Sequence, residues 1–403
     1  RRSQNLVAPC ERDAASGEDG DDMDYRDQVA DLLDRAQDLG HGAAQAALTE
    51  QAVELADEHH DEGAGFFARQ EHVNATMFAG QPDKMLVAFS WLLAQIDRHP
   101  DRYDLQRVLW QYKWVVDTLP DFPQITRAQI EEMFADMERR YEAHGASLQV
   151  VYLKRRAVAM AMGDHDAAVE ADDAMQRFRR DDLSDCKACE MDSACDYYYF
   201  LGADEVGVEK ASPLLRGRYT CSEVPQLTLA SILLPLLRLG RGEQAMPHHV
   251  LGYRMISKNP VEFIPSIASH IEFLALTGNL ARALKLVERH LGLALATPCL
   301  AWQFDVFLAV KLLLEELRAA KRGTLKVRLP DTFPMQQDEY DTAELLGWFD
   351  SRLADAAKRF DARNGNDFFR QRLPGVARQR GYRQPVSLPR RDDGEAPSKW
   401  ERS

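Results

Sequence analysis

Glycine-marked turns recur along this chain at a nearly constant interval, and that periodicity constrains the fold more than any other feature. Gly40, Gly80, Gly163, Gly202, Gly240 and Gly278 each follow an apolar helical run and precede another. Successive ones stand 40, 83, 39, 38 and 38 residues apart, and the long interval reads as two periods with Leu119-Pro120-Asp121-Phe122-Pro123 as the middle turn. A fixed period between about 20 and 50 residues marks a repeat array, in which each unit buries its apolar face against its neighbours. Five residues after the glycine stand Ala168, Gly207, Ala245 and Ala283, all small enough for two helices to approach closely. Twenty residues after it stand Pro100, Pro260 and Pro298, which cannot continue a helix. Each unit therefore reads as helix, tight turn, helix, stop. An array also suits the length, since 403 residues exceed what one ordinary core accommodates.

The turn resembles that of the tetratricopeptide repeat, where a Gly-Asp-x-x-x-Ala segment joins helices A and B and a proline closes the unit; Gly163-Asp164-His165-Asp166-Ala167-Ala168 matches it best. The resemblance implies an all-α fold: a right-handed α-solenoid of about eight antiparallel helical hairpins over residues 24–321. The period, about 38–41, is longer than the family's and implies an extra helical turn per unit, and the family's aromatic marks in helix A are not consistently present. Several phrases are also similar to a group of bacterial solenoid proteins: Asp185-Cys186-Lys187-Ala188-Cys189, Cys221-Ser222-Glu223-Val224-Pro225, His249-Val250-Leu251-Gly252-Tyr253-Arg254, His270 to Asn279 and Arg359-Phe360-Asp361-Ala362-Arg363-Asn364-Gly365. That likeness implies a fold and transfers no activity.

The ends depart from the repeat. Residues 1–23 are polar and acidic and read as disordered, with Met23 near a natural start. After Lys321 a short extended segment, Gly323 to Pro330, precedes a helix expected from about Thr342 to Phe360, and residues 322–373 read as an atypical C-terminal cap. The tail from 374 to 403 is basic, with Arg378, Arg380, Arg383, Arg390 and Arg391, and reads as disordered.

A formal net charge of -14 argues against nucleic acid as a partner, because a phosphate backbone would be repelled by the molecule as a whole. No stretch approaches the roughly 18 apolar residues that cross a bilayer, and six cysteines are too sparse for a disulfide scaffold. The expectation is a cytoplasmic protein.

Three of those cysteines carry the sharpest chemical signal. Cys186 and Cys189 form a C-x2-C pair, a spacing that lets two thiolates converge on one ion, and Cys221 follows 32 residues later. Counted back from Gly202 and Gly240, all three fall near the start of helix A in successive units, where stacked helices would bring them together. Three readings stay open: buried packing thiols, one structural zinc, or a thiol redox switch. For zinc the fourth ligand is unassigned, with Asp185, Glu223, water or His249 as candidates. Cys195 is half a turn out of phase with Cys186 and reads as a core thiol.

No nucleophile elbow, P-loop or dinucleotide fingerprint is present. The run Glu58-His59-His60-Asp61-Glu62 cannot converge on one ion without unwinding, since adjacent helical residues point about 100° apart. The candidate groove residues are Lys154, Arg155 and Arg156, a basic cluster suited to a peptide carboxylate, with Tyr198 as a wall residue and His270 beside it. The function expected is a protein- or peptide-binding scaffold without catalysis, and a small-molecule ligand is not expected. A metal- or thiol-responsive regulator clipped by Cys186, Cys189 and Cys221 is the alternative, and an enzyme with dispersed residues a further one.

Overall fold

The computed structural model describes residues 24–389. Its α-helices are α1 (Tyr25–Asp38), α2 (Ala43–Glu58), α3 (Glu62–Phe78), α4 (Pro82–Arg98), α5 (Leu105–Thr118), α6 (Arg127–Ala143), α7 (Gln149–Met162), α8 (His165–Met175), α9 (Lys187–Phe200), α10 (Asp204–Leu215), α11 (Gln226–Ser231), α12 (Leu233–Arg238), α13 (Gly242–Ile256), α14 (Ile264–Leu276), α15 (Leu280–Ala296), α16 (Leu300–Ala319), α17 (Thr342–Asn364) and α18 (Phe368–Gln379). None is long and apolar enough to cross a membrane. The N-terminal segment 1–23, with Met23, and the last residues 390–403 lie outside the described residues.

The turn glycines behave as their position requires. Gly80, Gly163, Gly202, Gly240 and Gly278 adopt φ between 66° and 78°, the left-handed conformation that closes a helix at little cost only for glycine. Gly40 does not; Gly42, with φ 147°, opens α2 instead. The middle turn at Leu119–Asp121 is a short 3-10 helix. Ala168, Ala245 and Ala283 are fully buried; α4 and α15 end two residues before Pro100 and Pro298, while α13 ends at Ile256, short of Pro260. The α11–α12 break falls where Pro235 has no N–H to offer the carbonyl of Ser231. Asp61 caps α3 by accepting from Gly63 N and Ala64 N, both at 3.0 Å.

Consecutive helices pack together except α8 and α9, and alternate ones pack as well: α1 on α3, α3 on α5, α5 on α7, α7 on α9, α9 on α11, α12 on α14, and α14 on α16. The larger core cluster runs from Cys195 through α12–α17 to Val386, and a second fills α3–α7.

The C-terminal region closes the chain upon itself. Leu325, Val327 and Leu329 alternate inward along an extended segment whose β1 (Thr324–Leu325) pairs antiparallel with β2 (Tyr340–Asp341). Asp341 then caps α17, which continues to Asn364. Arg363 donates to Pro120 O at 2.8 Å and Ile125 O at 3.2 Å, while Asn364 and Asn366 donate to Met162 O at 3.1 and 2.8 Å.

Residues 374–389, part of the tail whose composition reads as disordered, contact the helical body. The tail's helix ends at Gln379, and the strand-like segment beyond it donates from Gln384 N to Leu276 O and from Val386 N to Thr277 O. Arg380 and Arg383 converge on Glu316 at 2.7 and 2.6 Å, so their charges are spent on a nearly buried partner.

A thiol cluster beside an acid-lined cavity

The local sequence sets the cysteine geometry. Cys186 stands at the N-cap of α9, where its sulfur accepts from Cys189 N at 3.4 Å, and Cys189 lies in the first turn. Cys221 occupies the tight turn before α11: its N–H donates to Val224 O at 2.9 Å and its sulfur accepts from Val224 N at 3.4 Å. Because α9 packs against α11, the two segments meet. The three Sγ atoms lie within 4.8 Å of one another, with 3.4 Å between Cys186 and Cys189 and 3.4 Å between Cys189 and Cys221. Such a group could hold a metal ion. Hydrogen bonding with Cys189, aided by the Glu223 and Val224 amides, outweighs burial and brings the Cys221 thiol down to about 5; the same contact pushes Cys189 up.

Two of the suggested fourth ligands, Asp185 and His249, are engaged elsewhere, and Glu223 falls outside the group of converging donors. Asp185 Oδ1 meets Lys113 Nζ and its Oδ2 meets Lys154 Nζ, each at 2.9 Å. Burial alone would raise this carboxyl, but Lys154 and Lys113 hold it down at about 2. His249 Nδ1 faces His270 Nδ1 at 2.9 Å in the helical core. Cys195 is fully buried, donating to Met191 O.

The basic cluster is not a free docking patch. Consecutive residues on α7 point three ways, so each finds its own acid. Lys154 bridges Asp117 at 2.6 Å and Asp185 at 2.9 Å. Arg155 pairs with Glu131 and Glu138, both at 2.8 Å, over the Phe134 ring. Arg156, 2% exposed, pairs with Asp172 and donates to Ser193 Oγ at 2.9 Å. His270 is fully enclosed and is a core residue: Gly252, lacking a side chain, leaves room for its imidazole. Tyr198 is half-buried, its ring 5.0 Å from Lys210 Nζ.

Sequence reasoning missed the cavity next to the thiols. It holds about 730 Å³ and is lined by Asp117, Lys154, Asp185, Asp192, Asp196 and Glu223, with Cys189 in its wall and Asp305 and Arg372 opposite. Met77, Trp114, Phe200 and Leu227 supply its apolar surface. An adjoining cavity shares Asp196, Asp305 and Arg372 and adds Glu272. Burial pushes Asp196 up to about 6 and Glu272 up to about 7, and burial with Asp196 nearby raises Asp192 further. A signal was present: Asp192 and Asp196 at i and i+4 on α9, and single acids inside the apolar runs of α14 and α16.

No known protein-family profile matches the chain, and no curated protein is similar to it.

Proposed function

We propose that the chain is a helical-repeat binding scaffold, its hairpins winding as a right-handed solenoid of the tetratricopeptide type, whose enclosed acidic wall takes a lysine- or arginine-bearing segment of a partner protein. The cavity carries the reading. Six carboxylates (Asp117, Asp185, Asp192, Asp196, Glu223, Asp305) face two cations, Lys154 and Arg372. Asp117 Oδ1 is buried there without a hydrogen-bond partner among the described residues. A buried acceptor left unmade costs about 1–3 kcal/mol, which an incoming ammonium or guanidinium would recover. The volume lies in the range, roughly 300–1,000 Å³, of sites that enclose a ligand, and the apolar side chains suit the stem of a long basic residue.

The same acids give the binding its pH dependence. Asp192 of α9 faces Asp196, the Thr228 hydroxyl of α11, Cys221 and Glu223; Asp196 faces the Ser231 hydroxyl of α11 and Arg156 of α7; Glu272 of α14 faces Arg372, Asp305 and Arg238. Below about pH 6 Asp196 and Glu272 hold their protons and the wall is less negative; above about pH 7 both are charged. Affinity for a cation therefore rises with pH across that window. Calorimetric titration of the purified protein with a short lysine–leucine peptide and its glutamate–leucine counterpart tests this. The lysine peptide should bind on the order of tenfold tighter near pH 7.5 than near pH 5.5, one pH unit of proton linkage being about 1.4 kcal/mol. Asp196→Asn with Glu272→Gln should flatten that difference. Equal affinity for the two peptides, or no binding of the lysine peptide by folded protein, would sink the reading.

A further inference from the structure

We infer that Cys186, Cys189 and Cys221 bind a zinc ion as three thiolates, with solvent from the cavity side as the fourth donor, and that this ion staples the start of α9 to the turn before α11. The distances support it. Around a tetrahedral zinc with Zn–S near 2.3 Å, neighbouring sulfurs stand about 3.8 Å apart; the two separations here are 3.4 Å, a few tenths from that arrangement. Packing alone does not explain three thiols gathered within 4.8 Å when each comes from a separate position of two segments and none of the three is buried.

The backbone is also arranged for thiolate. Cys186 lies at the positive end of α9 and accepts from an amide of the first turn. Cys221 accepts from Val224 N in a turn locked by its own N–H to Val224 O. Outer N–H donors of this kind fix ligand orientation and favour the thiolate form. Soft thiolates favour zinc over magnesium or calcium.

No further His, Cys, Asp or Glu donor joins the trio among the described residues. Asp185 is tied to two lysines and His249 to His270, and Glu223 does not join the group, so the described residues offer three ligands. Cys189 lines the cavity, and solvent reaches the ion from there. Loading is a balanced exchange without redox change: zinc enters and whatever protons the thiols still hold pass to solvent, so occupancy increases with pH. The ion would join two hairpins that otherwise meet through Ala188, Leu214 and Val224, and folding free energy gained this way is lost with the metal.

The test is metal content and spectrum, and it does not depend on any ligand of the cavity. Full-length protein purified under reducing conditions without chelator should carry one zinc per chain by elemental analysis. Titration of the demetallated protein with cobalt should give tetrahedral d–d bands and a thiolate charge-transfer band saturating at one equivalent. Cys186→Ser and Cys221→Ser should each lose the metal, and Cys299→Ser should keep it. Chelation should lower the melting temperature of the wild type and leave the Cys186→Ser variant unmoved. Wild-type protein that stays folded, has its thiols free and takes up neither zinc nor cobalt would overturn the inference. So would a disulfide between Cys186 and Cys189, seen as the loss of two hydrogens in the intact mass of freshly purified protein. The wild-type cobalt titration decides the matter even where a serine variant fails to fold.

Discussion

Replacing Gly163 with alanine is expected to destabilise the protein by about 3 kcal/mol, and replacing Gly202 by only about 1 kcal/mol. The two turns are alike locally. Gly163 has φ 72° and Gly202 has φ 74°, and the residue after each donates five back, Asp164 N to Ala159 O and Ala203 N to Tyr198 O, both at 2.9 Å. An alanine in this left-handed conformation costs about 1–2 kcal/mol relative to glycine, and that term is common to both. The surroundings differ. A Cβ at Gly202 meets nothing within 4 Å, whereas one at Gly163 lies 2.1 Å from Phe368 Cγ and 2.4 Å from its Cβ. The ring belongs to α18, held in place by Asn364 and Asn366 on Met162 O and by Phe369 stacked on Phe360. Forcing an atom into such a contact typically adds about 1–3 kcal/mol. Urea unfolding of both variants gives the comparison, and Phe368→Gly, which removes the ring and also the Cβ that would lie 2.4 Å away, supplies the cycle: in that background the cost of Gly163→Ala should drop to that of Gly202→Ala. Equal costs in the wild-type background would mean that α18 does not rest on this turn.

That comparison separates what one repeat dictates from what only the folded chain dictates. The glycine turns, the buried alanines five residues later and the helix-ending prolines were legible because each is a local requirement repeated at a fixed interval. The thiol cluster was legible for the same reason, since Cys186, Cys189 and Cys221 could be placed by counting from the nearest turn. Closure was not. Arg363 serves carbonyls of Pro120 and Ile125, and nothing in either segment's local pattern names the other. The packing of the tail was not legible because its arginines look solvated until Glu316 is seen between them, and because Val386 and Leu388, which meet the core, lie in a short segment broken by Pro385 and Pro389.

The acids illustrate a further limit. Asp192, Glu272 and Asp305 sit in helical runs whose other residues are core-forming, so each announces a polar interior. Which helix each acid faces depends on the closure of the chain. Only the assembled wall shows that Asp192 and Asp305 share one cavity with Asp117 and Glu223, and that Glu272 lines the cavity adjoining it.

Lys154→Met is the second substitution with a large expected effect, a loss of about 3–5 kcal/mol, because it removes one member of a buried charge chain and leaves the others facing each other. The order is Asp117, Lys154, Asp185, Lys113. Lys154 Nζ lies 2.6 Å from Asp117 and 2.9 Å from Asp185, and Lys113 Nζ lies 2.9 Å from Asp185 with a further bond to Leu183 O at 3.0 Å. The Lys113 ammonium is fully buried over the Trp110 ring, and Lys154 is 8% exposed. Methionine matches the length and apolar volume of the lysine stem, so packing is nearly conserved and the lost term is electrostatic. Asp117, already raised by burial against the pull of Lys154, would rise further and keep its proton. Arg155→Met is the internal control. Its guanidinium pairs with Glu131 and Glu138 nearer the surface, where such pairs contribute about 0–1 kcal/mol. Denaturant midpoints should therefore separate two adjacent residues of the same sign by several kcal/mol. If the two variants lost the same amount, Lys154 would be an exposed groove residue after all, and the acidic wall would lack the cation that holds its Asp117 and Asp185 edge in place.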